Sequence, residues 1–239
     1  MAAGVLFPAS AWRAAAIMRS MSFPTAAEIV DAGEHLPNGA TLVIDQVSWD
    51  DYDYLLEGLA DRPGLRISYD CGRLEIVSPL QEHGQYECLV EDLALIFCEA
   101  FRIQLQKYGR TTWRRKALSK GAEPDASFYI KNAQRTIGKK ISLEADPPPD
   151  IIVEIDVTRS SRSKLSIYAA FGVPEVWRYD GKTCRLYWRL ENDYKETQVS
   201  RFLPGLTVAL IAEAIEVSKT QGQDEARKAF RRRIKALMK

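Results

Sequence analysis

Apolar residues recur along this chain with two periods, and the switches between them predict its elements. Residues 48–59 read as a short helix, with Ser48 as N-cap and acids crowded into the first turn. Asp61-Arg62-Pro63-Gly64 breaks it. Residues 65–69 and 73–77 are strand-like and joined by Asp70-Cys71-Gly72, a β-hairpin signal closed by Ser78-Pro79. Leu89, Leu93, Ile96, Phe97 and Ala100 share one stripe at helical spacing, which predicts an amphipathic helix over 87–101 with His83 in the loop before it.

Residues 125–130, behind Pro124, predict a strand. Residues 151–157 (IIVEIDV) are an apolar run broken by two acids, the pattern of a fully buried strand. A short helix over 163–171 stops at Gly172, with Pro174 two residues on. Strands over 176–179 and 185–190 flank an Asp180-Gly181 turn, and Pro204-Gly205 marks another turn. Phe230, Ile234 and Leu237 predict a basic amphipathic helix over 226–238. The order hairpin, helix, strand, strand, helix, hairpin predicts an α/β protein with a mixed sheet and helices against it.

Composition narrows the class. With 239 residues, 46% hydrophobic and 27% charged, the chain can bury one substantial core, which excludes a disordered, collagen-like or coiled-coil chain. No apolar run approaches the roughly 20 residues of a membrane helix, since residues 208–215 are interrupted by Glu213. No membrane partner is expected. Cys71, Cys88, Cys98 and Cys184 lie far apart with no Cys-x-x-Cys pair, which points to reduced thiols in a cytoplasm. The Ala-rich residues 1–21 lack the features of a signal peptide and read as an extension outside the fold, with Met18 and Met21 as alternative starts.

Net charge is only +1, but the charge is segregated. From Glu28 to Glu99 there are 16 acidic residues against three basic ones, whereas Arg102 to Lys120 holds seven basic residues and no acid. The last sixteen residues hold seven basic against two acidic. Such runs either attract polyanions or form ordinary solvated faces.

The strand over 151–157 carries the candidate chemistry. Alternation puts Glu154 and Asp156 on one face, opposite Val153, Ile155 and Val157. A buried carboxylate is costly unless it is paired or binds a cation. If the strand opened by Asp125 lies beside it, Asp125 and Glu154 converge on one hard cation such as Mg²⁺; otherwise Glu154 pairs with a nearby arginine or caps a loop. Lys164, ten residues after Glu154, either swings back to stabilise charge at a phosphodiester or is a solvent lysine. His83 is a general base or a surface polar group, and Glu87 a dipole-complementing acid or a ligand. Trp113 among Arg110, Arg114 and Arg115 reads as a core anchor in preference to a nucleic-acid contact. Walker, dinucleotide, serine-elbow and His-Glu-x-x-His motifs are all lacking.

These segments resemble the Uma-two family of restriction endonucleases, a branch of the PD-(D/E)XK nuclease superfamily. The resemblance rests on Arg62-Pro63-Gly64-Leu65, on Gly72-Arg73-Leu74-Glu75-Ile76-Val77-Ser78-Pro79, on Glu82-His83 and on Glu123-Pro124-Asp125-Ala126-Ser127-Phe128-Tyr129-Ile130. It continues through Pro149-Asp150-Ile151-Ile152-Val153-Glu154-Ile155-Asp156, Lys164-Leu165-Ser166-Ile167-Tyr168 and Gly172-Val173-Pro174-Glu175-Val176-Trp177-Arg178-Tyr179-Asp180, covering about residues 40 to 206. It implies a restriction-endonuclease-like mixed central sheet flanked by helices, over residues 22–210, followed by a basic helical tail over 211–239.

The resemblance also implies a Mg²⁺- or Mn²⁺-dependent endonuclease that hydrolyses DNA phosphodiesters. Pro124-Asp125 would be the superfamily's PD and Glu154 its acidic partner, the two holding the metal. Asp156 stands where the lysine is expected, a departure, and Lys164 is the substitute if that lysine has migrated to the following helix. Asp156, Glu87 and His83 are additional candidates. Arg110, Arg114, Arg115 and Lys116 would contact the DNA backbone without sequence readout. The alternatives are a nuclease-fold protein that binds nucleic acid without cutting and a protein-interaction module with a purely structural Glu154–Lys164 pair. A homodimer is compatible with cutting both strands.

Overall fold

The computed structural model describes residues 24–60, 64–157 and 162–238. The 1–21 extension and the Asp61-Arg62-Pro63 break lie outside them. In chain order the elements are α1 (Ala26–Glu34), β1 (Thr41–Ile44), α2 (Trp49–Gly58), β2 (Arg66–Asp70), β3 (Arg73–Val77), α3 (Gln81–Phe101), β4 (Gln106–Lys107), β5 (Trp113–Arg115), β6 (Lys120–Ala122) and β7 (Ala126–Tyr129). There follow α4 (Ala133–Thr136), β8 (Ile151–Ile155), α5 (Arg162–Phe171), β9 (Glu175–Tyr179), β10 (Cys184–Leu190), β11 (Asp193–Thr197), α6 (Val208–Gln221) and α7 (Gln223–Leu237). No helix among the described residues is long and apolar enough to cross a membrane.

The contacts divide the chain into two compact units where the sequence suggests one domain. The first comprises the residues up to Leu80 with Arg114–Glu123. Its helix α2 starts where Ser48 accepts a hydrogen bond from the Asp51 N–H, with Asp50 and Asp51 in the first turn. The β2–β3 hairpin turns at Cys71 (φ 49°) and Gly72 (φ 95°), both left-handed, as a two-residue turn requires. This hairpin does not join the sheet of β8. It pairs with β1 and β6 in a sheet of order β1-β3-β2-β6-β5, over a core of Leu55, Leu74, Ile76 and the stacked rings of Tyr52 and Tyr69.

Gly121 on β6 makes room for that stack. A Cβ there would collide with the Tyr52 hydroxyl oxygen and lie 2.8 Å from the ring carbon that bears it. Tyr52 is fully buried and cannot swing aside without breaking its stack. Gly121→Ala is therefore expected to cost about 2–3 kcal/mol by overpacking, read as a lower urea midpoint by tyrosine and tryptophan fluorescence. An unchanged midpoint would mean that the stack yields freely.

The second unit, Gln81–Trp113 with Pro124–Lys239, is built on a six-stranded mixed sheet of order β11-β10-β9-β8-β7-β4. Only β8 and β9 pair in parallel, as the intervening helix α5 requires; the other neighbours are antiparallel. Ile151, Val153 and Ile155 enter one core with Leu89, Leu93 and Phe97 of α3. Ala226, Phe230 and Ile234 of α7, within the expected basic tail, belong to the same core. Leu237, the third residue of the expected stripe, is instead exposed.

Candidate active site

Strand pairing brings the two acids of the expected motif together. Ala126 is opposite Val153 in the antiparallel β7–β8 pair, so the next step of the register sets Asp125 beside Glu154. The Asp125 N–H donates to the Val153 carbonyl (3.1 Å), and its carboxylate Oδ2 accepts from the Ile155 N–H (2.7 Å). Both acids are buried, at 1% and 2% exposure.

Helix α3 begins at Gln81, six residues before the expected start. Gly84 lies in the added first turn, but a single glycine costs a helix only about 1 kcal/mol and the later turns are well packed. His83 is therefore helical, not in a loop. It lies four residues before Glu87 on the same face, both side chains buried. His83 Nε2 is 3.2 Å from Asp125 Oδ2. Glu87 accepts two hydrogen bonds from Arg110, at 2.9 Å from Nε and 2.8 Å from Nη2. That fork, helped by the nearby Asp125 charge, holds the Arg110 guanidinium above its ordinary pKa.

Lys164 sits in the first turn of α5 and is buried, not a solvent lysine. Its Nζ lies 3.0 and 3.3 Å from the two oxygens of Glu154. Tyr168, one turn further along α5, donates its hydroxyl to Glu154 Oε1. Burial raises the Glu154 pKa; Lys164 and the Tyr168 hydrogen bond oppose that rise, while Asp125 and Asp156 add to it. Burial works against the Lys164 ammonium, but the charges of Glu154, Asp125 and Asp156 together outweigh it and hold its pKa above the ordinary lysine value. That balance favours the ammonium form of Lys164.

Asp156 turns elsewhere. Strand β8 ends at Ile155, and the Asp156 carboxylate is gripped by Arg178 of β9, at 2.7 Å from Nε and 2.5 Å from Nη2. The sequence reading identifies neither Tyr168 nor Arg178 as a partner. Tyr168 was traceable, since it is four residues from Lys164 on the same helical face. Arg178 was not, because its approach depends on the parallel pairing of β8 with β9.

The basic run is largely matched with acids. Within the second unit Lys107 pairs with Glu91 (2.8 Å) and Arg110 with Glu87; within the first, Arg114 pairs with Asp53, Lys116 with Asp50 (3.3 Å) and Lys120 with Asp70. Arg115 is half-buried and not free. Trp113 is a core residue, 1% exposed and edge-on to Tyr129.

His83, Glu87 and Asp125 each offer a ligand atom within 4.8 Å of the others, and all three are buried. Two carboxylates with one imidazole form a donor set that fits a divalent cation of the Mg²⁺ or Mn²⁺ kind. Glu154, expected as the second ligand, is outside this trio and is instead held by Lys164 and Tyr168.

A solved structure from Anabaena variabilis ATCC 29413, described as "a putative nuclease belonging to DUF820", is 17% identical over 61% of this chain and 89% of its own, with a TM-score of 0.42. No curated protein matches the chain. Residues 49–220 match the family described as "Uma2: Putative restriction endonuclease", well over half of the sequence. The chain belongs to the Uma2 family.

Proposed function

We propose that this protein is a divalent-metal-dependent endonuclease that hydrolyses DNA phosphodiester bonds at the Asp125–Glu154–Lys164 site. The observation that carries the reading is the buried Glu154–Lys164 pair set beside Asp125 by the β7–β8 register. A lysine from α5 thereby stands beside the acids in the role that Asp156, tied to Arg178, does not fill. A bound Mg²⁺ or Mn²⁺ supplies Lewis acidity toward a phosphate oxygen and a water. Asp125, His83 and Glu87 are the residues that would hold it. Lys164, kept cationic by its neighbours, faces the negative charge that develops on the phosphoryl oxygens. Glu154 fixes the ammonium in place, and Tyr168 fixes Glu154.

The test is nicking of supercoiled and linear DNA with Mg²⁺ or Mn²⁺, beside Glu154→Ala and Lys164→Ala. Metal-dependent nicking lost in both variants supports the reading. No cut by the wild type leaves a binding role without cleavage, and equal cutting by the variants removes Glu154 and Lys164 from the cleaving site.

Tyr168 gives a finer check. Removing its hydroxyl takes one charge-assisted hydrogen bond from Glu154, on the order of 1.5–3 kcal/mol. If Glu154 must be aligned for turnover, Tyr168→Phe slows nicking by about ten- to a hundredfold while far-UV circular dichroism stays that of the wild type. Wild-type rates in this variant would remove Tyr168 from the site's machinery.

A further inference from the structure

The runs of cations differ in what the fold does with them. Arg102–Lys120 is largely paired with carboxylates, as described above, whereas the second run folds into α7. Ala226, Phe230 and Ile234 face the core from one side of that helix. At 100° per residue, Lys228, Arg232 and Lys235 fall on the opposite side and Arg231 on the flank next to it. Lys228 is paired with Asp224 (2.7 Å) and Glu225 (2.9 Å), and Arg233, near the buried edge, reaches Glu213 of α6 (3.2 Å). Arg231, Arg232 and Lys235 are exposed, and none of them forms an ion pair among the described residues. Arg231 contributes only a longer-range pull on Asp224.

Helix α7 is fixed alongside α3, the helix that carries His83 and Glu87. Gln223 Nε2 donates to the Gln85 carbonyl (2.9 Å), and Arg227 pairs with Asp92 (2.8 Å). The cationic face and the candidate site thus belong to one compact unit. Arg231 and Lys235 are one turn apart, about 6 Å along the axis, roughly the length over which one DNA strand presents two phosphates.

We infer that the outer face of α7, through Arg231, Arg232 and Lys235, is the surface that binds the phosphate backbone of duplex DNA. The inference rests on the nuclease reading for its choice of polyanion, and it moves the backbone contact away from Arg114–Lys116. Three phosphate contacts contribute about 2.7 to the slope of log affinity against log salt.

The experiment is fluorescence anisotropy of a labelled duplex with the full-length protein in EDTA, where no cleavage can occur, across a salt series. Arg231→Gln/Arg232→Gln/Lys235→Gln is expected to bind about a hundredfold more weakly, with the salt slope lowered by about 2–3. Arg114→Gln/Lys116→Gln should lose less than about threefold. The triple variant must keep the wild-type circular dichroism and thermal midpoint, since its side chains lie off the core. Unchanged affinity and slope in the triple variant overturn the inference, as does a wild type that binds anionic vesicles but not DNA. A wild type that binds through α7 yet never nicks sinks the nuclease reading alone. One that nicks while the triple variant binds normally sinks the surface alone.

Discussion

Glu154→Gln is expected to lower metal-dependent nicking by about 10³-fold or more, the largest single effect on activity. Amide for carboxylate keeps the shape of the side chain but removes the charge that holds Lys164 at 3.0 Å. The ammonium then loses the partner that offsets its burial, and both its position and its charge state change. Misplacing an electrostatic stabiliser costs about 10²–10³ in rate, and a charge next to Asp125 is lost as well. The comparison is made on supercoiled plasmid at saturating Mg²⁺ or Mn²⁺, so that weaker metal binding cannot account for the loss. Turnover within tenfold of wild type would show that Glu154 is only a structural partner of Lys164.

Lys164→Met has the largest expected effect on stability. It leaves a carboxylate buried without its cation, and breaking a buried pair from one side costs about 3–5 kcal/mol. The double variant Glu154→Gln/Lys164→Met removes both charges and should regain most of that loss, which distinguishes pair breakage from a packing defect. The pH dependence has a definite sign. Without Lys164, nothing of comparable size opposes the burial that already raises Glu154 above the ordinary glutamate value of 4.5. The native state then binds the proton more tightly than the unfolded chain. Stability is fully present below 4.5 and falls as pH rises through the window up to the raised folded value. Urea midpoints of Lys164→Met should therefore drop between about pH 5 and pH 8, beyond any drift in the double variant. Equal profiles would show that Glu154 is not the group responsible.

Local pattern carried a large part of this structure. Ser48 caps α2, Cys71-Gly72 turns the β2–β3 hairpin, and the turns at Gly172 and Gly205 have the left-handed φ (84° and 97°) that favours glycine. Each depends on a few adjacent residues, so the sequence is enough. The caps of α1 (Thr25 with Glu28) and of α6 (Thr207) are local signals that the sequence reading leaves unused. Other elements that escaped owe their stability to partners elsewhere. β4 and β6 have two and three residues and exist through their neighbours. β11 (DYKET) has no strand-like alternation of its own and is held by its pairing with β10. The first turn of α3, with Gly84 in it, belongs to a long packed helix, and reading it as a loop separated His83 from Glu87.

The sequence by itself determined the chemical types at the site: an acid at the head of one strand, a second acid within another, a lysine ten residues on and the motif order of the family. It did so because strand alternation and helix spacing are local periodicities. That the two strands are neighbours came from their pairing. Only the tertiary structure decided which charges meet. It tied Asp156 to Arg178, Lys164 to Glu154 and Arg110 to Glu87, and it offset much of the 102–120 run with acids distant in sequence. Coulomb pairing acts through distance in space, and it joins Lys116 to Asp50, 66 positions away, and Arg227 to Asp92, 135 positions away.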